Sequence, residues 1–425
     1  MGAGTDQSFH MNESPSFPRR FRLLLGILFL GELGVASYAA ETPDPKQIQQ
    51  DLAAWRDSGE AAKDLSDHNL VLVYWTPSDR EPAPRYRERL SATMKDIQAF
   101  YRREMDRRGY GPMTFGLEEG EDKLLNIHLV RGKHPYADYN VKSGHAIRKE
   151  VVPELAKAGI DANRATLVLF CNMSNWDPAK RTINQNSPYY ASGTHVNGTA
   201  WQVDSPILDV SKLGEKGERV RDGQYGNISL GRYNSIFIGG IAHELGHAFG
   251  LPHLRQSKAQ HASLGTALMG SGNRTYGEEL RGEGKGSFLT PAHAMRLASH
   301  PLFTRQGKQM EVRGRYTIAD WQVAPHEEGA VVAGRIASSS LPVYGVVAYV
   351  DPDGGGDYDA RVFHTRPDAD GKFRMETGSV RFGSKGEIRV IFLLKTGAAS
   401  AFAGPRSPHT FNYTWSKEKG LSMQP

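Results

Sequence analysis

The chain has 425 residues, 39% hydrophobic and 23% charged, which is length and apolar material enough for two or three domains with real cores. Its formal net charge of +5 arises from 52 basic and 47 acidic residues scattered among one another, without a polybasic run, so nucleic acid is not expected as a partner. The single cysteine, Cys171, excludes an intrachain disulfide and leaves stability to the core and any bound metal.

Residues 1–40 have the form of a signal peptide. Arg19, Arg20 and Arg22 precede the apolar run Leu23–Leu30, Glu32 breaks it, and the small residues Ala36, Ser37, Ala39 and Ala40 follow. The run is well short of the roughly 20 residues that span a bilayer. Export to the periplasm or outside the cell is therefore expected, with no stable membrane insertion after cleavage. Residues 41–66 form a polar segment with a short exposed helix around Lys46 to Asp57.

From Asn69 the pattern becomes strand, helix, strand, helix, strand. Asn69–Trp75 is rich in Val, Leu and Tyr. Leu90, Met94, Ile97, Tyr101 and Met105 recur at steps of three and four and predict a helix over about 84–108. Leu125, Ile127 and Leu129 alternate with polar residues and predict a strand, and a helix over about 144–158 leads to a buried strand ending at Cys171. That order describes a parallel-leaning sheet with crossover helices. A further strand is expected at His195–Val203, containing Trp201. Asn234 or Ser235 is expected to cap the next helix, which Gly250 and Pro252 end. Thr290-Pro291 opens another.

After about Met310 the helix signals stop. Seven strand-like runs follow: 315–323, 329–336, 343–350, 360–364, 372–375, 388–394 and 410–415. Even spacing of strands without helices predicts an all-β sandwich over 311–417, Ig-like or jelly-roll-like. Asp351, Asp353, Asp357 and Asp359 suit either calcium or a hairpin turn, and the intervening glycines favour the turn. The sandwich is expected to serve as an adaptor, so that a chain ending near Thr304 still folds.

The chemistry lies in His243-Glu-Leu-Gly-His-Ala-Phe-Gly-Leu-Pro-His253. On a helix, His243 and His247 share one face, and neutral imidazole suits zinc. Gly250 sits where the chain must turn sharply, bringing His253 back as a third ligand and leaving a fourth position for water. Zn2+, one per chain, is the cofactor these residues call for. Glu244, beside the first ligand, is placed to act as general base on the attacking water. A surface protein- or carbohydrate-binding protein with a vestigial metal site is the competing reading, and intact Glu244 argues against it.

These residues resemble the extended zinc motif of the metzincin superfamily of zinc endopeptidases. The resemblance implies a two-lobed catalytic domain with a mixed, twisted sheet, an α/β (α+β) arrangement assigned here to residues 67–305. It also implies hydrolase activity on a protein or peptide substrate, and a methionine turn beneath the zinc, for which Met269 is the candidate. It implies as well a strand before the motif helix, here His195–Val203, that borders the cleft and pairs with extended substrate, with Trp201 as a contact there or in the core. Some metzincins carry a tyrosine two residues after that methionine; Ser271 stands there instead, and Tyr276 lies further on. His261, His293 and His300 are read as surface or packing histidines, and Cys171 as a strand residue rather than a zinc-blocking thiolate.

Overall fold

The structure, a computed structural model, describes residues 43–326, 329–352, 358–378, 385–400, 409–416 and 420–424. The expected signal peptide lies outside these residues, as do Asp353 and Asp357. The Asp44 side chain accepts from the Lys46 amide and, with Pro45 in the first turn, starts helix α1 (Pro45–Asp57). The helix is not simply exposed. Ile48 and Leu52, four apart on one face, are 1% and 0% exposed in the main core.

The expected alternation follows: β1 (Val71–Thr76), α2 (Tyr86–Arg107), β2 (Ile127–Arg131), α3 (Gly144–Lys157) and β3 (Thr166–Cys171). Next come β4 (Ser174–Asp177), β5 (Thr182–Gln185), β6 (Tyr190–Gly193), β7 (Gly198–Val203), β8 (Arg219–Asp222) and β9 (Gly226–Ser229), which lead into helix α4 (Leu230–Ala248). One sheet has the order β2-β1-β3-β7-β6, parallel throughout except for β6, which runs antiparallel at the edge. A smaller sheet, β4-β5-β8-β9, forms beside it.

Alternation along β3 divides the core. Val168 and Phe170 face the main cluster with α2 and α4, whereas Leu167, Leu169 and Cys171 face a second cluster with Ile147, Val151 and Leu155 of α3. Two expectations change here, and the alternative left open for Trp201 is decided. Residues 194–197 form a turn closed by Thr194 N–H on Asn197 O at 2.7 Å, and β7, which begins only at Gly198, is internal, so β6 takes the edge. Trp201 lies on the α3 side, 2% exposed, donating from Nε1 to Gly144 O, and so is a core residue. In β2, Leu129 is 51% exposed while Val130 is buried, because an edge strand keeps one face in solvent.

Helix α5 (Lys258–Leu264), strands β10 (Thr266–Ala267) and β11 (Ser287–Phe288), and helices α6 (Pro291–Leu297) and α7 (Pro301–Thr304) complete the helical half. The strands that follow are β12 (Tyr316–His326), β13 (Gly329–Ser339), β14 (Val343–Pro352), β15 (Arg361–Thr365), β16 (Lys372–Glu376), β17 (Lys385–Leu394), β18 (Thr410–Ser416) and β19 (Gly420–Gln424). All seven expected runs fall in strands, and β19 is additional. They form two antiparallel sheets, β12-β13-β16 and β15-β14-β17-β18-β19.

The two sheets share a core, with Val332, Phe373 and Met375 of the smaller clustered with Val346, Ala348, Val350, Ile388, Val390 and Phe392 of the larger. The opposite faces of β14 and β17 are apolar too. Tyr344, Val347, Tyr349, Ile391 and Leu393 belong to the main core of the helical half. A strand buried on both faces has no polar alternation, which is why these two read as continuous apolar runs. Polar ties cross the same boundary: Tyr344 Oη donates to Met295 O at 2.6 Å, Arg255 N–H to Ala360 O at 2.7 Å, and Lys395 Nζ to Asp51 O at 3.1 Å. The β-rich half is thus packed into the helical half rather than tethered to it as an adaptor. Asp351 is buried against Arg389 at 3.2 Å, a structural ion pair.

Candidate metal centre

Helix α4 begins earlier than the sequence suggests. The Ser229 Oγ accepts from the Arg232 amide and caps it, whereas Asn234 lies inside the helix, donating to Leu230 O and Ile207 O and accepting from the Asp209 amide. The side chain of Asn234 thus pins the preceding loop to the helix. Residues 243 and 247 occupy its last turns. Gly250, at φ +80°, reverses the chain in a conformation that costs glycine little. The Gly250 and Leu251 amides close the turn onto His247 O and Gly246 O.

The turn returns His253 to the helix. The His243, His247 and His253 Nε2 atoms lie 3.1 Å (243–247), 3.2 Å (243–253) and 2.9 Å (247–253) apart. Among the described residues, this is the one group of three or more His, Cys, Asp or Glu side chains arranged to hold a metal. Nδ1 of His243 lies 2.6 Å from Leu268 O, and Nδ1 of His247 lies 2.7 Å from Leu251 O. A carbonyl only accepts, so both Nδ1 atoms carry the proton and both Nε2 atoms present lone pairs. Lone pairs facing one another at these distances repel unless a cation sits among them. Nitrogen ligands at about 2.0–2.1 Å around a tetrahedral zinc stand only slightly further apart than this. The donor set therefore fits a divalent transition ion.

Burial lowers the His243 imidazole to about 4 and the His247 imidazole to about 3, with the neighbouring histidines acting the same way. Both are thus neutral at physiological pH, the form that binds metal. Burial lifts the Glu244 carboxyl to about 7. Met269, in the turn after β10, is 1% exposed and lies against α4 at Gly246, where a Cβ would stand 2.3 Å from its sulfur. The next contact fixes the His253 loop: Leu254 N–H donates to Met269 O at 3.1 Å.

Other singled-out residues point elsewhere. The Tyr276 hydroxyl donates to Asp96 at 2.6 Å. His261 contacts Gly265 O, His293 is buried with Nε2 3.2 Å from the Tyr349 hydroxyl, and His300 is buried beside Phe249 and Phe303. The Cys171 thiol, fully buried on the far face of the sheet, is pushed up by burial. One residue at the centre escaped the sequence reading. Tyr358, just before β15, stacks on His253 with ring centroids 3.7 Å apart and planes at 25°. No local spacing marks it, because the sequence separates it from the motif by more than a hundred residues.

No family model and no curated protein matches the chain. Among solved structures, wild-type OgpA from Akkermansia muciniphila matches with a TM-score of 0.66 and 28% identity, covering 87% of this chain and 98% of that one. A second crystal form of it matches equally, with 97% of that chain covered. Catalytically inactive OgpA in complex with an O-glycopeptide (glycodrosocin) substrate matches with a TM-score of 0.66 and 27% identity, over 87% of this chain and 98% of that one. Over most of its length, then, the chain is similar to an enzyme that takes an O-glycopeptide as substrate, which supports peptidase chemistry.

Proposed function

We propose that the chain is an exported, zinc-dependent endopeptidase of the metzincin kind, carrying a C-terminal β-sandwich and cutting peptides that bear O-linked sugars. The observation that carries the reading is the convergence of three imidazole Nε2 atoms beside Glu244 on one helix and its return turn. The likeness to OgpA adds the glycosylated class of substrate.

Zinc, when bound, supplies Lewis acidity and lowers the pKa of its water toward about 7. His243, His247 and His253 hold the ion, and the Leu268 and Leu251 carbonyls keep the first two rings in the ligating tautomer. Glu244 takes a proton from the water that attacks the scissile carbonyl and returns it to the leaving amine. Its low-dielectric setting places the carboxyl near neutrality, where it can both accept and give that proton. The edge strand β6, whose end lies against Gly250, takes the substrate-pairing role expected of 195–203, because its outer backbone can accept an extended peptide.

The test is hydrolysis by the chain from residue 41 onward of an O-glycosylated peptide and its bare counterpart, with and without chelator. Cleavage abolished by chelation, one zinc per chain, and a Glu244→Ala variant that keeps zinc but loses at least roughly a hundredfold in turnover are expected. Equal cleavage of both peptides removes the sugar requirement. An active Glu244→Ala enzyme, or full zinc occupancy in His243→Ala/His247→Ala, overturns the mechanism.

A further inference from the structure

Among the described residues, the β-rich half meets the three histidines through the ring of Tyr358. Arg255, two residues past the third histidine, donates its amide to Ala360 O at 2.7 Å, and Ala360 is fully buried. That bond leads residues 358–361 along the ligand loop, and β15 then continues into the large antiparallel sheet. Two residues before Ala360, Tyr358 lays its ring over the His253 imidazole at a centroid distance of 3.7 Å. It remains 56% exposed, so one face covers the ligand and the rest borders solvent.

Around the three imidazoles, α4 provides one wall, the Gly250–His253 turn another, and Met269 packs beneath the helix. Tyr358 stands over the third ligand from the other half of the molecule, close enough to Glu244 and Arg274 for their charges to act on its phenol. Among the described residues, none hydrogen-bonds the Tyr358 hydroxyl, so a donor is left over at the ring that covers His253. An exposed tyrosine pinned on a ligand ring, with its hydroxyl uncommitted, is placed for a substrate atom rather than for the fold.

We propose that Tyr358 is a further catalytic residue of this site, its phenol O–H donating a hydrogen bond to the scissile carbonyl oxygen as negative charge develops there. This rests on the peptidase reading above. No bond to the tyrosine forms or breaks, and the phenol keeps its proton. Preorganised donors of this kind act chiefly in the transition state. The β-rich half is then part of the active site, and hydrolysis depends on its docking.

Tyr358→Phe keeps the stack and removes the hydroxyl, while Tyr358→Ala removes both. With a peptide substrate, the Phe variant is expected to lower kcat about a hundredfold with KM within about twofold, the mark of an interaction made only in the transition state. Affinity for a phosphinic peptide, a tetrahedral mimic, should fall by a similar factor. Zinc release to a chelator should match the parent in Tyr358→Phe and accelerate in Tyr358→Ala. An unchanged kcat and phosphinate affinity in Tyr358→Phe would overturn the proposal while leaving the peptidase intact. Faster zinc loss in Tyr358→Phe, equal to that of Tyr358→Ala, would also overturn it by showing a structural role. A parent enzyme that cleaves no peptide removes the peptidase reading, and this assignment with it.

Discussion

Ending the chain after Thr304 should destroy the fold of the remaining half, not merely detach an accessory. The removed strands carry Tyr344, Val347, Tyr349, Ile391 and Leu393, each 3% exposed or less and clustered with Leu245, Leu254, Met295 and Leu302. Burying such a side chain contributes about 1.5–3 kcal/mol, so five account for about 8–15 kcal/mol of gross apolar burial. That equals the whole net stability of a typical domain, about 5–15 kcal/mol. The cut also strips the partners from Met295 O and from the Arg255 amide at the edge of the histidine cluster. Circular dichroism, thermal melting and zinc analysis of residues 41–304 provide the assay, with the chain from residue 41 to its end as reference. No cooperative melt and no zinc retained are expected. A fragment that melts cooperatively within a few degrees of the reference and holds one zinc would refute the reasoning, and would restore the adaptor role the sequence suggested.

Two further predictions concern buried charge. Arg89 grips Asp204 in a two-point ion pair at 2.8 and 3.1 Å, with side chains 6% and 0% exposed, at the end of β7. Asp204→Asn leaves the guanidinium uncompensated and should cost about 3–5 kcal/mol by denaturant unfolding; a loss below about 1 kcal/mol would show that water reaches Arg89. Burial, followed by the charge of His195, lowers His300 from its ordinary 6.5 to about 3. Its folded pKa lies below the unfolded one, so its contribution is complete above pH 6.5 and declines as the pH falls toward 3, by about 2 kcal/mol at pH 5. The stability lost between pH 7 and 5 should shrink by about that amount in His300→Gln, and an identical pH profile for both proteins would exclude the buried imidazole as the cause.

What the sequence determined is what local spacing can encode. His243 and His247, four apart, must share a helix face, and Gly250 admits the reversal that returns His253, so the candidate ligand set is legible without a fold. Helices α2 and α3 and the C-terminal strands follow for the same reason, since a period of 3.6 or 2 is a property of neighbours along the chain. Where an element ends or which face it covers depended on contacts distant in sequence. Ser229 rather than Asn234 caps α4 because Asn234 is occupied by the Asp209 loop, and β6 rather than β7 is the edge because a turn at 194–197 folds the chain back.

The placement of Tyr358 is the clearest case. Nothing within its own segment relates it to a histidine at 253, and only the antiparallel register of β14 with β15, together with the Arg255–Ala360 hydrogen bond, lays its ring there. The same holds for the joining of the two halves. The unbroken apolar runs of β14 and β17 announce burial on both faces, but which surface covers the second face is a matter of tertiary packing, since hydrophobic burial is non-directional and names no partner.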